Sequence, residues 1–322
     1  DDGYSPPKTV EMVRQLVEQD KIFALFQSLG TPCNTAIHKY MNQRKVPQIY
    51  VATGASKWGD PKSFPWTMGF QPDYHTEAVI YAKHILANVK DAKIAVLHQN
   101  DDYGRDYLGG FKEGLGKEAG RIARTVTYEA TDPTVDSQII QLKDSGANVF
   151  FNVAAPKAAA QGIRKAAELD WKPVHYLNNV SASVAAVMKP AGSDNAQGII
   201  TPAYIMDATD KQWDNNEEMK AWRAWMDKNM PQANKADANH IYGYAVAALM
   251  VETLKRCGND MTRANLMKQA ASFQKYRLPL LLPGITVNTS PTDFYPIQAV
   301  QLQRFKGETW DLFGDVMHAE ST

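Results

Sequence analysis

The chain has 322 residues, enough for two domains that each bury a core of their own, and it carries 35 basic against 35 acidic residues. Balanced charge leaves no electrostatic footprint for nucleic acid or an anionic membrane surface, so the expected partner is a small molecule. No apolar run approaches the roughly 18 residues of a membrane span, and no basic-then-apolar leader is visible.

The amino-terminal stretch Asp1 to Pro7 reads as a turn, with Pro7 suited to the first position of a helix and Ser5 or Pro6 just outside it. Val10, Val13, Leu16 and Val17 then recur at helical spacing, which predicts an amphipathic helix over 8–19. A short buried strand over 22–26 runs into the Gly/Ser/Thr-rich loop 27–34 and a helix over 35–44. Such a loop at a helix start presents unpaired N–H groups and the positive end of the dipole, a setting suited to an anion; equally, Asn34 can serve as a plain N-cap. No Gly-Lys-Ser/Thr follows, so it is not a P-loop. The strand over 46–52 ends in a second loop of small residues, Thr53-Gly54-Ala55-Ser56. Neighbouring parallel strands place such loops side by side on one edge, where hydroxyls and amides can converge on a carboxylate.

An apolar stretch over 64–70 and a helix over 74–86 follow. Ile94 to His98 is too short for a helix and nearly all apolar, hence a buried parallel strand. Polar turn residues after it hold Tyr103 at its carboxyl end, before a helix over 106–117. Strands over 122–128, 148–153 and 174–177 then alternate with helices over 135–144 and 156–169, the pattern of a doubly wound parallel sheet. A strand over 198–205, a polar crossing over 207–216 and helices over 217–229, 236–257 and 262–271 come next, with Gly258 and Thr262 as C-cap and N-cap. The tail alternates as a hairpin, 297–305 and 309–313, with one wet face.

The catalytic and metal-binding signatures do not appear. The seven histidines are scattered without metal-ligand spacing, and there is no nucleophile elbow and no Gly-x-Gly-x-x-Gly after a strand. Asp101-Asp102 mimics an acid pair, but loop neighbours point apart and usually cap or face solvent. No enzyme, cofactor or metal is expected. Cys33 and Cys257 are too few for a disulfide scaffold or a zinc knuckle and read as two semi-buried thiols or as one bridge.

Asp1 to Pro7, Gly30-Thr31-Pro32, Thr53 to Ser56, Asp102-Tyr103-Gly104 and Gly192 to Tyr204 stand in the order and spacing of one family. Together they make the chain resemble the periplasmic leucine/isoleucine/valine-binding proteins that serve ABC importers. The resemblance implies an α/β fold of two Rossmann-like doubly wound domains joined by three crossovers, closing on a ligand in the cleft. The expected division is 1–91 plus 213–290 and 92–212 plus 291–322. Family members have a strand, a helix and a strand before the position of Asp1, so the resemblance implies a gap in the first domain's core or another element filling it.

In the family two loops hold the ligand carboxylate, which here implies Leu29, Gly30 and Thr31 with Gly54, Ala55 and Ser56. An aromatic covers the ligand, matching Tyr103. A Tyr and a Glu that hold the side chain and the α-ammonium of amino acids correspond to Ala154 and Asn179, with Asn178 beside it. A buried ammonium without its carboxylate is costly, since removing one partner of a buried charged pair typically costs about 3–5 kcal/mol. Asn179 would instead hydrogen-bond a neutral hydroxyl or carbonyl. The expected ligand is therefore a small carboxylate without an α-amino group, aromatic or a hydroxy or keto acid. An amino acid, with its charge met by Asp101, Asp102 or an upstream residue, is the alternative, as is a ligand-sensing domain of a regulator. The resemblance further implies a monomeric periplasmic protein, its signal peptide removed, that delivers its ligand to a membrane permease.

Overall fold

The computed structural model describes residues 1–318. Its chain begins with α1 (Pro6–Glu18), β1 (Leu25–Phe26), α2 (Thr31–Arg44), β2 (Gln48–Val51) and β3 (Thr67–Gly69). These three strands form a parallel sheet in the order β1-β2-β3. Next come α3 (Tyr74–Asn88), β4 (Ile94–Gln99), α4 (Asp102–Leu115), β5 (Ile122–Tyr128), α5 (Asp136–Asp144), β6 (Val149–Val153), α6 (Pro156–Glu168) and β7 (Val174–Leu177). After the short α7 (Lys189–Ala191) follow β8 (Ile200–Ala203), α8 (Glu217–Asn229), α9 (Ala238–Cys257), α10 (Arg263–Ala270), β9 (Ala299–Lys306) and β10 (Thr309–His318). The second sheet has seven strands in the order β10-β9-β8-β7-β6-β4-β5. It is parallel from β5 through β8, and the β9–β10 hairpin adds an antiparallel edge.

The α/β alternation read from the sequence is present throughout, because the strands are continuous apolar runs covered on both faces. Every residue of β4 and of β6 is buried. The expected boundary at residue 91 assigns α3 to the first domain; in the structure α3 packs along α4. That approach is close because Gly110 and Gly114 face it: a Cβ would fall 2.2 Å from the His75 carbonyl oxygen at the first and 2.7 Å from the Ala82 Cβ at the second.

Three helices start earlier than their periodicity suggests, α1 by two residues, and the other two differences bear on the site. The helix expected over 35–44 starts at Thr31, with Gly30 as its N-cap and Pro32 in its first turn. Proline lacks the N–H that a first turn leaves unpaired. Asn34 is therefore inside α2 and is not its cap; its Nδ2 donates to the Ser28 and Gly30 carbonyls, both at 2.9 Å. The helix expected over 106–117 starts at Asp102 because the Asp101 side chain caps it, accepting from the N–H groups of Tyr103 and Gly104. Tyr103 thus stands in a first helical turn and not in the loop. Cys33 and Cys257 are both buried and free.

Candidate functional site

Between the two sheets lies a cavity of about 680 Å³. Its position follows from topology: the segments leaving the carboxyl ends of β1, β4, β6 and β7 all reach it, as the strand ends of α/β sheets do. An isolated parallel bridge between Leu29 and Ala52 prolongs the β1–β2 pair up to its edge. Leu29, Gly30 and Thr31 line it from one sheet, Tyr103, Ala155 to Lys157 and Asn179 from the other. Gln71 and Tyr74 close it where the chain first crosses between sheets, Tyr204 to Asp207 where it returns, and Tyr242 from α9.

Of the ten residues expected from the sequence, Leu29, Gly30, Thr31, Tyr103 and Asn179 line this cavity, while Gly54, Ala55, Ser56, Ala154 and Asn178 lie outside its wall. Each of the five has a physical reason, and for Ala55 it is burial in the hydrophobic core with its N–H donating to Thr53 Oγ1 at 3.3 Å. The Gly54 carbonyl accepts from the Tyr74 N–H at 2.7 Å, which brings the Tyr74 ring between that loop and the cavity. The Ser56 hydroxyl lies 2.6 Å from Asp73 Oδ1 and 2.9 Å from Asp106 Oδ1, and its N–H donates to Asp106 Oδ2 at 2.9 Å. A single hydroxyl proton cannot satisfy two carboxylates, and burial, reinforced by the Asp73 charge, pushes the Asp106 carboxyl up to about 6. Ala154 is fully buried, and its neighbour Ala155 reaches the wall instead. Asn178 is a fully buried tie: its Oδ1 accepts from the Tyr103 hydroxyl at 2.8 Å while its Nδ2 donates to the Ala154 carbonyl at 2.9 Å. It fixes the Tyr103 ring against the β6 and β7 loops.

Asn179 donates its side-chain N–H to the Pro202 carbonyl and its backbone N–H to Glu77 Oε1 at 2.9 Å. Glu77 is a residue that sequence reading missed, and it holds the Asn179 backbone from behind the wall. It is 3% exposed and also accepts from the Tyr81 and Tyr107 hydroxyls, each at 2.8 Å. Burial pushes it up to about 7 despite those donors. No local pattern marks it, because its partners come from residues 4, 30 and 102 positions away.

Five tyrosines, Tyr4, Tyr74, Tyr103, Tyr204 and Tyr242, give the cavity an aromatic wall. Tyr74 stands edge-on to Tyr103 at 5.4 Å and stacks on Tyr107 at 4.5 Å. The Tyr4 hydroxyl accepts from Gln99 Nε2 at 3.1 Å, and burial pushes it up to about 12. Tyr4 explains Gly30: there φ is +97° and a Cβ would fall 2.3 Å from the Tyr4 ring. The charged residues in the wall are Lys157 and Asp207. Asp207 Oδ1 accepts from the Thr209 N–H at 2.8 Å, and burial holds its carboxyl above the usual range. Asp101 and Asp102 are engaged elsewhere, the first as the α4 cap and the second with Lys57 at 2.6 Å and Arg105 at 2.7 Å.

Electrostatically the wall is uneven. The α2 and α6 N-termini open on it without a side-chain cap, so their N–H groups and dipole ends suit an anion. The wall offers aromatic faces, amides and open helix N-termini for non-covalent contacts with a small molecule. No group of three or more potential metal ligands converges among the described residues.

Residues 1–309 match the model of a family described as periplasmic binding protein. No curated protein sequence matches the chain. Among solved structures, a branched chain amino acid ABC transporter protein from Thermus thermophilus with bound valine superposes with a TM-score of 0.85 at 16% identity, over 99% of this chain and 84% of that one. A leucine-binding protein, LivK, from Thermotoga maritima gives 0.79 at 14% identity, over 100% and 87%. A fatty acid ABC transporter substrate-binding protein from Thermomonospora curvata gives 0.82 at 18% identity, over 100% and 82%. At such identities the likeness is one of fold.

Proposed function

The chain belongs to the periplasmic binding protein family, and from that premise we propose that it is the solute-binding component of an ABC importer, taking a small carboxylate without an α-amino group. It closes on the ligand as a clamp about the crossings near 70–73, 204–210 and 295–298, works in the periplasm as a monomer, and hands its ligand to a membrane permease. The observation that carries the ligand class is the wall of the 680 Å³ cavity: tyrosines, two uncapped helix N-termini, and an asparagine at 179 whose amide is already engaged. The valine held by the Thermus protein and the fatty acid for which the Thermomonospora protein is named share one group, the carboxylate. Leu29, Gly30, Thr31, Tyr103 and Asn179 are the proposed ligand contacts.

One observation favours a second reading. Asp207 stands in the cavity wall, and an ammonium bound beside it would recover the charge pair that Asn179 does not provide. An amino acid is then the ligand, and Asp207 its ammonium partner.

A thermal-shift screen separates the two. Panels of branched and aliphatic amino acids, and of aromatic, hydroxy and keto acids, are tested at high concentration. A ligand at about 100 times its dissociation constant adds roughly 2.7 kcal/mol. Stabilisation by the des-amino acids alone supports the first reading, and Asn179→Glu then weakens their binding. Stabilisation by leucine or valine alone, lost in Asp207→Asn, overturns it.

A further inference from the structure

One part of the cavity wall is polar in an ordered way. Gln27 Nε2 donates to the Tyr50 carbonyl and, at 3.4 Å, to the Tyr242 hydroxyl. The Tyr242 hydroxyl donates to Gln71 Oε1 at 3.1 Å, and Gln71 Nε2 donates to the Tyr74 hydroxyl at 3.2 Å. Two carboxamides thus meet on one phenol, and Gln27, Gln71, Tyr74 and Tyr242 all face the cavity. A carboxamide has two N–H donors and an oxygen with two lone pairs. Both N–H groups of Gln27 are engaged, and its Oε1 has no protein donor among the described residues. Gln71 keeps one N–H over. The strip therefore offers a free acceptor and a free donor on two carboxamides that share the Tyr242 hydroxyl, together the complement of a hydroxyl.

The backbone points the same way. Gln27 has φ of +59° and the adjoining Tyr50 φ of +51°, left-handed conformations that side chains other than Gly, Asn and Asp rarely adopt. Such conformations persist where surrounding structure enforces them, often at ligand clamps. Here the bond from Gln27 Nε2 to the Tyr50 carbonyl joins the two positions.

Building on the carboxylate reading above, we propose that Gln27 and Gln71 form a second polar subsite that recognises an uncharged hydroxyl on the ligand, distinct from its carboxylate. The hydroxyl donates to Gln27 Oε1 and accepts from the remaining N–H of Gln71. A carboxylate fits this place poorly, because it has no proton for the Gln27 oxygen. An acid that lacks the hydroxyl leaves these part-buried amide groups unpaired once it covers them, the arrangement that gives binding sites their strongest discrimination. The ligand class narrows to hydroxylated acids, with the tyrosine walls favouring a phenol.

The test uses matched pairs of acids on the whole protein: benzoate with para-hydroxybenzoate, phenylacetate with para-hydroxyphenylacetate, and hexanoate with its terminal hydroxy derivative. Calorimetry gives the ratio of the two dissociation constants within each pair. In the wild type at least one pair favours the hydroxylated member by about tenfold or more, and Gln27→Met and Gln71→Leu each bring that ratio towards one. Because Gln27→Met also frees the Tyr50 carbonyl, Gln71→Leu decides if the first variant unfolds. Equal affinity within every pair that binds, or an unchanged ratio in Gln71→Leu, overturns the subsite and leaves the carboxylate reading standing. Failure of all six acids to bind overturns both.

Discussion

Glu77 supplies a prediction whose sign and size follow from its surroundings. Its carboxyl moves from an ordinary 4.5 to about 7 on folding, because burial disfavours the charged form more than three hydrogen-bond donors favour it. Between those two values the unfolded chain has released the proton and the folded chain still holds it. The folded state then binds more protons, so stability falls as pH rises through this window. A shift of this size corresponds to on the order of 3 kcal/mol, absent below the unfolded value and fully present above the folded one.

The raw profile of the protein mixes opposite slopes. Burial holds His38 down to about 4 and His175 down to about 3, and lowers His84 and His98 as well. Each of these stays neutral while its unfolded counterpart takes up a proton, so each costs stability as pH falls below about 6.5. Asp106 adds to the Glu77 slope over a neighbouring window. Only the difference between Glu77→Gln and wild type isolates the carboxyl. Glutamine keeps the shape and still accepts from the Asn179 N–H but does not titrate. With about 2.1 cal/mol/K of unfolding entropy per residue over 322 residues, 3 kcal/mol corresponds to roughly 4–5 °C. Melting temperatures of both proteins are measured from pH 4.5 to pH 8. The expected outcome is that the variant gains about 4–5 °C on wild type across that range, whatever constant offset the substitution brings. Parallel profiles would refute the reasoning, since Glu77 would then titrate alike in both states.

Tyr103→Phe removes the hydroxyl that donates to the buried Asn178 Oδ1 at 2.8 Å. Leaving that acceptor unpaired is expected to cost about 1–3 kcal/mol, read as a lower urea midpoint with unchanged slope. Gly30→Ala brings a Cβ to 2.3 Å from the Tyr4 ring at a φ of +97°. Tyr4 must withdraw from the cavity, so binding of any acid found in the screen should weaken by about tenfold, the equivalent of 1.4 kcal/mol; unchanged calorimetric affinity would mean that Tyr4 is not part of the ligand wall.

Much of the fold was legible because its signals are local. Ile94 to His98 is apolar at every position but the last and is followed by Asp101, a strand and a helix cap within eight residues of one another. The helix starts were legible only to within a turn, since Asp101 and Gly30 compete as caps with polar neighbours that suit the role equally well. The site divides along the same line. Gly30-Thr31 and Gly54-Ala55-Ser56 read alike, two small hydroxyl-bearing loops on adjacent strands. What separates them is distant: Asp73 and Asp106, 17 and 50 residues on, bind the Ser56 hydroxyl, whereas the Thr31 hydroxyl meets that of Thr53 at 2.5 Å inside the wall. Gln27, Gln71 and Tyr242 carry no pattern at all, because they meet only when α9 folds back across the sequence, 215 residues after Gln27.

The same competition for helix ends orders the cavity. Five helices bring their first turns to its wall: α2, α3, α4, α6 and α9. Asp73 caps α3, Asp101 caps α4 and Asp237 caps α9, so at those three the positive end of the dipole already faces an acidic side chain. A ligand carboxylate placed there would meet like charge. The α2 terminus begins on Gly30 and the α6 terminus on Ala155, residues with no side chain able to accept from the backbone, and Lys157 stands in the first turn of α6. The carboxylate reading thus orients the ligand: its charged end goes to α2 or α6, whose N–H groups are open, and its apolar body lies along the tyrosines.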